Sequence, residues 1–167
     1  TEHTISTSAD GALSVHATDV DGDGDMDALS ASFDDNKIAW YENDGSESFT
    51  EQVITTSAGG AFSVYAADVD GDGDMDVLSA SSIDNKIAWY KNDGSESFTE
   101  YIISTSAVGA RSVYAVDVDG DGYMDVLSAS SNDDKIAWYK NDGNEGFTEQ
   151  VITTSAGGAF SVYAADV

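Results

Sequence analysis

The stretch Asp68-Val69-Asp70-Gly71-Asp72-Gly73-Asp74-Met75-Asp76-Val77-Leu78-Ser79-Ala80-Ser81 decides the fold. Its first nine residues set carboxylates at positions 1, 3, 5 and 9 and a glycine at position 6, a pattern suited to a hard, oxygen-seeking cation. Its last six residues read as a short β-strand leaving the loop. The same nine-residue loop begins at Asp19 and again at Asp117, so neighbouring loops lie 49 residues apart. A fixed period of that length marks a chain built from stacked copies of one small unit.

Working outward, residues 1–49, 50–98 and 99–147 are three copies, and residues 148–167 begin a fourth. That last segment is identical to residues 50–69, which implies recent duplication within a longer array. The whole of 1–167 reads as a single repeat array. Each unit carries four short strands. In the second unit they are Ser63–Asp68, Asp76–Ser81, Lys86–Lys91 and Phe98–Ser104. They are five to seven residues long, several are rich in β-branched or aromatic side chains, and Asp, Asn, Gly and Ser clusters bound them. Asn92-Asp93-Gly94 is a hairpin signal between the third and fourth. No stretch sustains a helical period.

Four antiparallel strands in about 49 residues predict an all-β fold of β-propeller-type blades, as an open array or part of a closed propeller. The small residues of the first strand suit a crowded position near an axis. Trp40, Trp89 and Trp138 on the third suit the wider space between blades. In this frame the chain starts on an outer strand (1–7) and ends on an inner one (161–167), both without their middle strands. Three blades fall short of the four to eight that close a ring. Head-to-tail joining of copies would not supply those middle strands, whereas continuation of the chain would; an open solenoid or filament is the other arrangement, and ragged ends would also suit assembly with other copies.

The chain has 167 residues, 41% of them hydrophobic, so it has the apolar content of a folded domain rather than a disordered acidic tail. Its formal charge of −26 argues against nucleic acid and against anionic membrane surfaces. It fits a calcium binder, or a protein kept soluble in a salty medium. There is no cysteine, hence no disulfide framework and no thiol chemistry. No apolar run is long enough to span a bilayer as a helix. The chain starts at Thr1 without a signal peptide, as a mature product or an excerpt would.

In the first loop Asp19, Asp21, Asp23 and Asp27 would offer side-chain oxygens to Ca2+, and Asp25 its backbone carbonyl. Position 7 is Asp25, Asp74 and then Tyr123, so its side chain is not required. Position 6 is always glycine, where the chain turns around the ion. Met26, Met75 and Met124 at position 8 are expected to tuck under the loop as packing. An EF-hand is excluded, because position 12 is Ser30, Ser79 or Ser128 instead of a bidentate Glu, and the flanks read as strands. Tandem glycine-rich nonapeptides of the β-roll type are excluded by the spacing. Metal-bound carboxylates also serve hydrolases. Yet identical sites in every unit suggest structure, since an enzyme usually needs one special site. His3 and His16 have Gln or Tyr at most equivalent positions and are not repeated ligands. No Ser–His–Asp arrangement or phosphate-cradling loop is visible.

The motifs Asp-Val-Asp-Gly-Asp-Gly-Asp-Met-Asp-Val-Leu-Ser-Ala-Ser, Asp-Asn-Lys-Ile-Ala-Trp-Tyr-Lys-Asn-Asp-Gly and Phe-Thr-Glu together resemble FG-GAP and VCBS-type repeats, related to the calcium-binding blades of integrin alpha-subunit propellers. The resemblance covers essentially the whole chain and is nearer the VCBS-like branch, because the Phe-Gly-Gly-Ala-Pro signature is degenerate at Ala58-Gly59-Gly60-Ala61-Phe62. It implies calcium ligands at Asp68, Asp70, Asp72, Asp74 (carbonyl) and Asp76, and at Asp117, Asp119, Asp121, Tyr123 (carbonyl) and Asp125. That makes about three Ca2+ sites, one per complete loop. The fourth loop holds only Asp166 and forms none.

The resemblance points to a non-enzymatic, calcium-stabilised scaffold, adhesion or filament-forming module, extracellular or at a cell surface. Its partners would be a protein or glycan there, or copies of itself. The alternatives are a carbohydrate-binding, lectin-like propeller and a display domain of a larger secreted enzyme. For the glycan reading, Trp40-Tyr41, Trp89-Tyr90 and Trp138-Tyr139 offer stacking surfaces, although burial is the common fate of large aromatics in sheets. Differences between units read as scattered over loops and strand faces, as in a spacer, and Arg111 reads as one surface variation among them.

Overall fold

A computed structural model describes residues 2–166. Twelve strands form three separate four-stranded antiparallel sheets. The first holds β1 (Ala12–Thr18), β2 (Asp27–Ser32), β3 (Lys37–Asn43) and β4 (Phe49–Thr55) in spatial order. The second holds β5 (Ala61–Ala67), β6 (Asp76–Ser81), β7 (Lys86–Asn92) and β8 (Phe98–Ser104). The third holds β9 (Ala110–Val116), β10 (Asp125–Ser130), β11 (Lys135–Asn141) and β12 (Phe147–Thr153). No helix forms among the described residues. Each sheet is one blade, and the expected strands are in place with the expected neighbours.

The blades stack face to face, and this explains the composition of their middle strands. β6 is buried along its whole length, because both of its faces meet another blade. Val77 and Leu78 are both fully buried on successive, opposite-facing positions. One core joins Leu29, Ala31, Ile38 and Trp40 of the first blade to Ala61, Val64, Ala66, Val77, Ala88 and Tyr90 of the second. The next repeats the pattern one unit on, with Leu78, Ala80, Ile87 and Trp89 against Ala110, Val113, Ala115, Val126, Ala137 and Tyr139. Trp40 and Trp89 therefore fill the spaces between blades, while Tyr90 and Tyr139 face the preceding blade. Trp40 and Trp89 are fully buried. Trp138, with no following sheet packed on it, is half-buried.

Two terminal expectations are corrected. Neither residues 2–7 nor residues 161–166 form a strand; Thr1 and Val167 lie outside the described residues. A strand needs a hydrogen-bonding neighbour for its backbone, and the middle strands that would supply one are not among these residues. The inner-type segment nevertheless lies in its blade position. The Val162 N–H donates to Ser112 Oγ at 3.3 Å, as the Val64 N–H does to Ser14 Oγ and the Val113 N–H to Ser63 Oγ.

Candidate metal sites on the blade loops

The acidic loop joins the first two strands of every blade and is wound by its own side chains. In the first loop both oxygens of Asp19 accept backbone hydrogen bonds, from Gly22 at 2.8 Å and Gly24 at 3.0 Å. Asp21 accepts from the Asp23 N–H and Asp23 from the Asp25 N–H. Gly24 sits at φ +98° and an added Cβ would meet nothing within 4 Å, so the backbone angle alone demands glycine there. The buried Asp27 closes the loop, accepting the Val20 N–H at 2.9 Å and the Asn43 N–H at 2.8 Å. Loops two and three repeat these bonds around Asp68 and Asp76, and around Asp117 and Asp125.

This winding brings three carboxylates together in each loop: Asp19, Asp21 and Asp27; Asp68, Asp70 and Asp76; Asp117, Asp119 and Asp125. One oxygen from each lies within 4.8 Å of the others. The position-5 residues Asp23, Asp72 and Asp121 stand outside these groups. The position-7 side chains turn away toward the hairpin glycine of the same blade. A Cβ on Gly94 would lie 2.6 Å from Asp74 Oδ2, and one on Gly143 2.5 Å from Tyr123 Cζ. That orientation explains why Tyr123 can replace Asp without disturbing the loop.

In the first two loops one carboxyl of the cluster is held above the ordinary carboxylate range. Burial pushes the Asp76 carboxyl up to about 6, against the lowering effect of the Asn92 and Val69 N–H groups. Burial and the neighbouring charges of Asp27, Asp23 and Asp19 raise Asp21. A hard donor set of crowded carboxylate oxygens fits an oxygen-seeking divalent cation. In two loops an ammonium already leans on the cluster. Lys91 pairs with Asp70 and lies 3.3 Å from Glu145, and Lys140 pairs with Asp119 and lies 3.1 Å from Asp121. The corresponding residue of the first blade is Glu42.

The methionines do not tuck under the loops. Met26 and Met124 are exposed and Met75 is half-buried. The apolar anchor is the position-2 valine, with Val20 and Val69 buried beneath the next blade. In the sequence Asn92 and its equivalents read as turn residues. Asn92 Nδ2 donates to Met75 O of its own loop at 3.2 Å and reaches Val20 O of the preceding loop at 3.5 Å. Asn141 does the same to Met124 O at 3.0 Å and Val69 O at 3.1 Å. The signal was its identity in all three units at a strand end, where a turn alone tolerates substitution.

The sequence model of the FG-GAP-like repeat matches residues 19–79, 68–128 and 117–167. No curated protein matches the chain. Among solved structures the fold is similar to that of an Agrocybe aegerita lectin that specifically recognises non-reducing terminal N-acetylglucosamine. The TM-score is 0.60 at 16% identity, covering 86% of this chain and 40% of the lectin. At that identity the likeness concerns the fold alone.

Proposed function

The chain belongs to the FG-GAP-like repeat family, and from that premise we propose that it is a calcium-stabilised, non-enzymatic scaffold or adhesion module working outside the cell. The observation that carries this reading is the repetition of one Asp triad on an equivalent loop in every blade. Each loop bridges two strands and, through Asn92 and Asn141, leans on the loop before it. A cation there ties strand to strand and blade to blade, which is structural work. Asp19, Asp21 and Asp27 and their equivalents would hold it, with the backbone carbonyls of Asp25, Asp74 and Tyr123. Sites of this class fill at the millimolar calcium found outside cells. Partners on this reading are surface proteins, glycans or further copies. The open face of the first blade, where Val15 is exposed although the equivalent Val64 is buried, favours another blade as neighbour.

Glycan binding is the second reading, suggested by the lectin that shares the fold. The Trp-Tyr pairs do not serve it, because both members are buried in the first two blades.

Calorimetric titration of the metal-free chain, with melting curves before and after chelation, tests the first reading. About three calcium ions per chain and a melting temperature that falls on chelation are expected. Absence of calcium uptake at millimolar concentration refutes it.

A further inference from the structure

Differences between repeats are not scattered. Several of the largest converge on the pole opposite the acidic loops, where each first strand begins and the second and third strands are joined. Leu13, Phe62, Arg111 and Phe160 are equivalent, as are Asp10, Gly59 and Val108, and Asp34, Ile83 and Asn132. Arg111 is the only arginine, and each of the five lysines is paired with a carboxylate. Among the described residues Arg111 has no carboxylate partner, in a chain carrying 32 acidic residues.

Its guanidinium is held all the same. It lies 4.4 Å over the Phe62 ring and 5.2 Å from the Phe160 ring, and the two rings meet edge to face at 6.2 Å. Its Nε–H donates to Ser131 Oγ at 3.0 Å. Aromatic contact and one anchored N–H fix the plane of the fork while leaving its outer N–H groups for a ligand. Around it, Asp10 and Asp34 of the first unit have become Val108 and Asn132 in the third, and the nearby Asp84 and Asp133 are engaged by the Gly59 and Val108 N–H groups and by Lys86 and Lys135. Phe160 stands exposed beside it, and Ile83 is exposed against Gly60 of the second blade.

We propose that Arg111, with Phe62 and Phe160, forms a binding site for a single carboxylate borne on a body with an apolar or C–H-rich face, the chemistry of a glycan ending in an acidic sugar. A planar fork pairs bidentately with a carboxylate. The exposed Phe160 ring offers a platform for the C–H face of a sugar. The net charge of −26 disfavours polyanions such as nucleic acids, acidic peptides and polyuronates, which leaves an isolated carboxylate as the fitting anion. The site lies away from the metal loops and does not depend on them.

The test is NMR titration of the full chain in millimolar calcium. The probes are a trisaccharide ending in glucuronic acid, its glucose-ended counterpart and a short apolar peptide with a free C-terminal carboxylate. Saturable binding of the acidic sugar is expected, at least tenfold weaker for the neutral one. Arg111→Gln should abolish it and Arg111→Lys should weaken it, while both variants keep the wild-type melting temperature within a few degrees. If Arg111→Gln disturbs the fold, Phe160→Ala must weaken binding on its own. Equal binding of acidic and neutral sugars, no binding of either, or a preference for the peptide overturns the proposal.

Discussion

Replacing Lys91 by Gln should strengthen calcium binding at the second loop while weakening the calcium-free fold. The Lys91 ammonium pairs with Asp70 and reaches Asp72 at 3.8 Å and Glu145 at 3.3 Å. It therefore neutralises part of the cluster in the absence of metal, and its own pKa is raised chiefly by the bond to Asp70. A calcium ion sits about 2.4 Å from its oxygen ligands, which would place it roughly 5 Å from that ammonium. A single charge facing a double charge at about 5 Å costs about 1.7 kcal/mol even in a water-like dielectric, and more where solvent is partly excluded. Since about 1.4 kcal/mol is tenfold in an equilibrium constant, removing the charge should tighten the second site by about tenfold or more. Titration calorimetry of Lys91→Gln against the parent reads the affinity, and melting curves with and without chelator read the two states. The calcium-free melt should fall and the calcium-loaded melt should rise. A dissociation constant that stays within twofold, or weakens, would refute the placement of the ammonium against the metal.

Other perturbations bear on the same architecture. Because burial raises the Asp76 carboxyl from 3.8 to about 6, the folded metal-free chain holds that proton more tightly than the unfolded chain. That carboxyl's own contribution to stability should be greatest below pH 4 and be lost as pH rises through about 6, opposite in sign to that of Glu51, which its bond to Lys37 lowers. Urea denaturation of calcium-free protein across that range should show the slope, and Asp76→Asn should flatten it. Trp89→Ala should cost about 3–5 kcal/mol by opening the space between two blades, and Trp138→Ala clearly less because its indole is only half-buried; denaturant midpoints report both. Gly73→Ala meets no steric obstacle but forces an L-residue to φ +98°; about 1–3 kcal/mol of strain is expected, read as a lower melting temperature in calcium and in chelator alike.

Much of this molecule was legible because the physics repeats every 49 residues. The Asp-Gly loop, the strand leaving it and the Trp-Tyr strand each have a local signature, and three instances separate required residues from tolerated ones. Tyr123 at position 7 marks a side chain that the loop does not require, and it points toward Gly143. Less legible were contacts that one unit's local pattern does not encode. Val20 and Met26 are both apolar residues in one loop, and only the stacked sheet decides that the valine is buried and the methionine exposed. Asn92 reads as a turn residue within its own unit, and its second partner lies 72 positions away. The Lys91 and Lys140 contacts follow from a strand end folding back toward a loop of its own blade, which no periodicity encodes. Arg111 looked like surface noise because its two rings come from the second unit and from the partial fourth.

The segment after β12 repeats the contact that joins one blade's first strand to the next. Residues 161–166 have no strand beside them in a sheet of their own, yet Val162 keeps the hydrogen bond to Ser112 that every inner strand makes to the one before it. Tyr163 meets Tyr114 edge to face at 6.4 Å, extending the run in which Tyr65 meets Tyr114 at 4.9 Å and His16 meets Tyr65 at 4.7 Å. Inner strand thus meets inner strand at this boundary as it does between the complete blades. The contact is head to tail, one blade's back receiving the next blade's front, so each added unit presents the surface that receives another. In such an array, stability is a sum of units and of interfaces between neighbours. The acidic loops and their asparagine links sit where those two contributions meet, so on the proposed reading a cation in one loop would strengthen a blade and its hold on the blade before it.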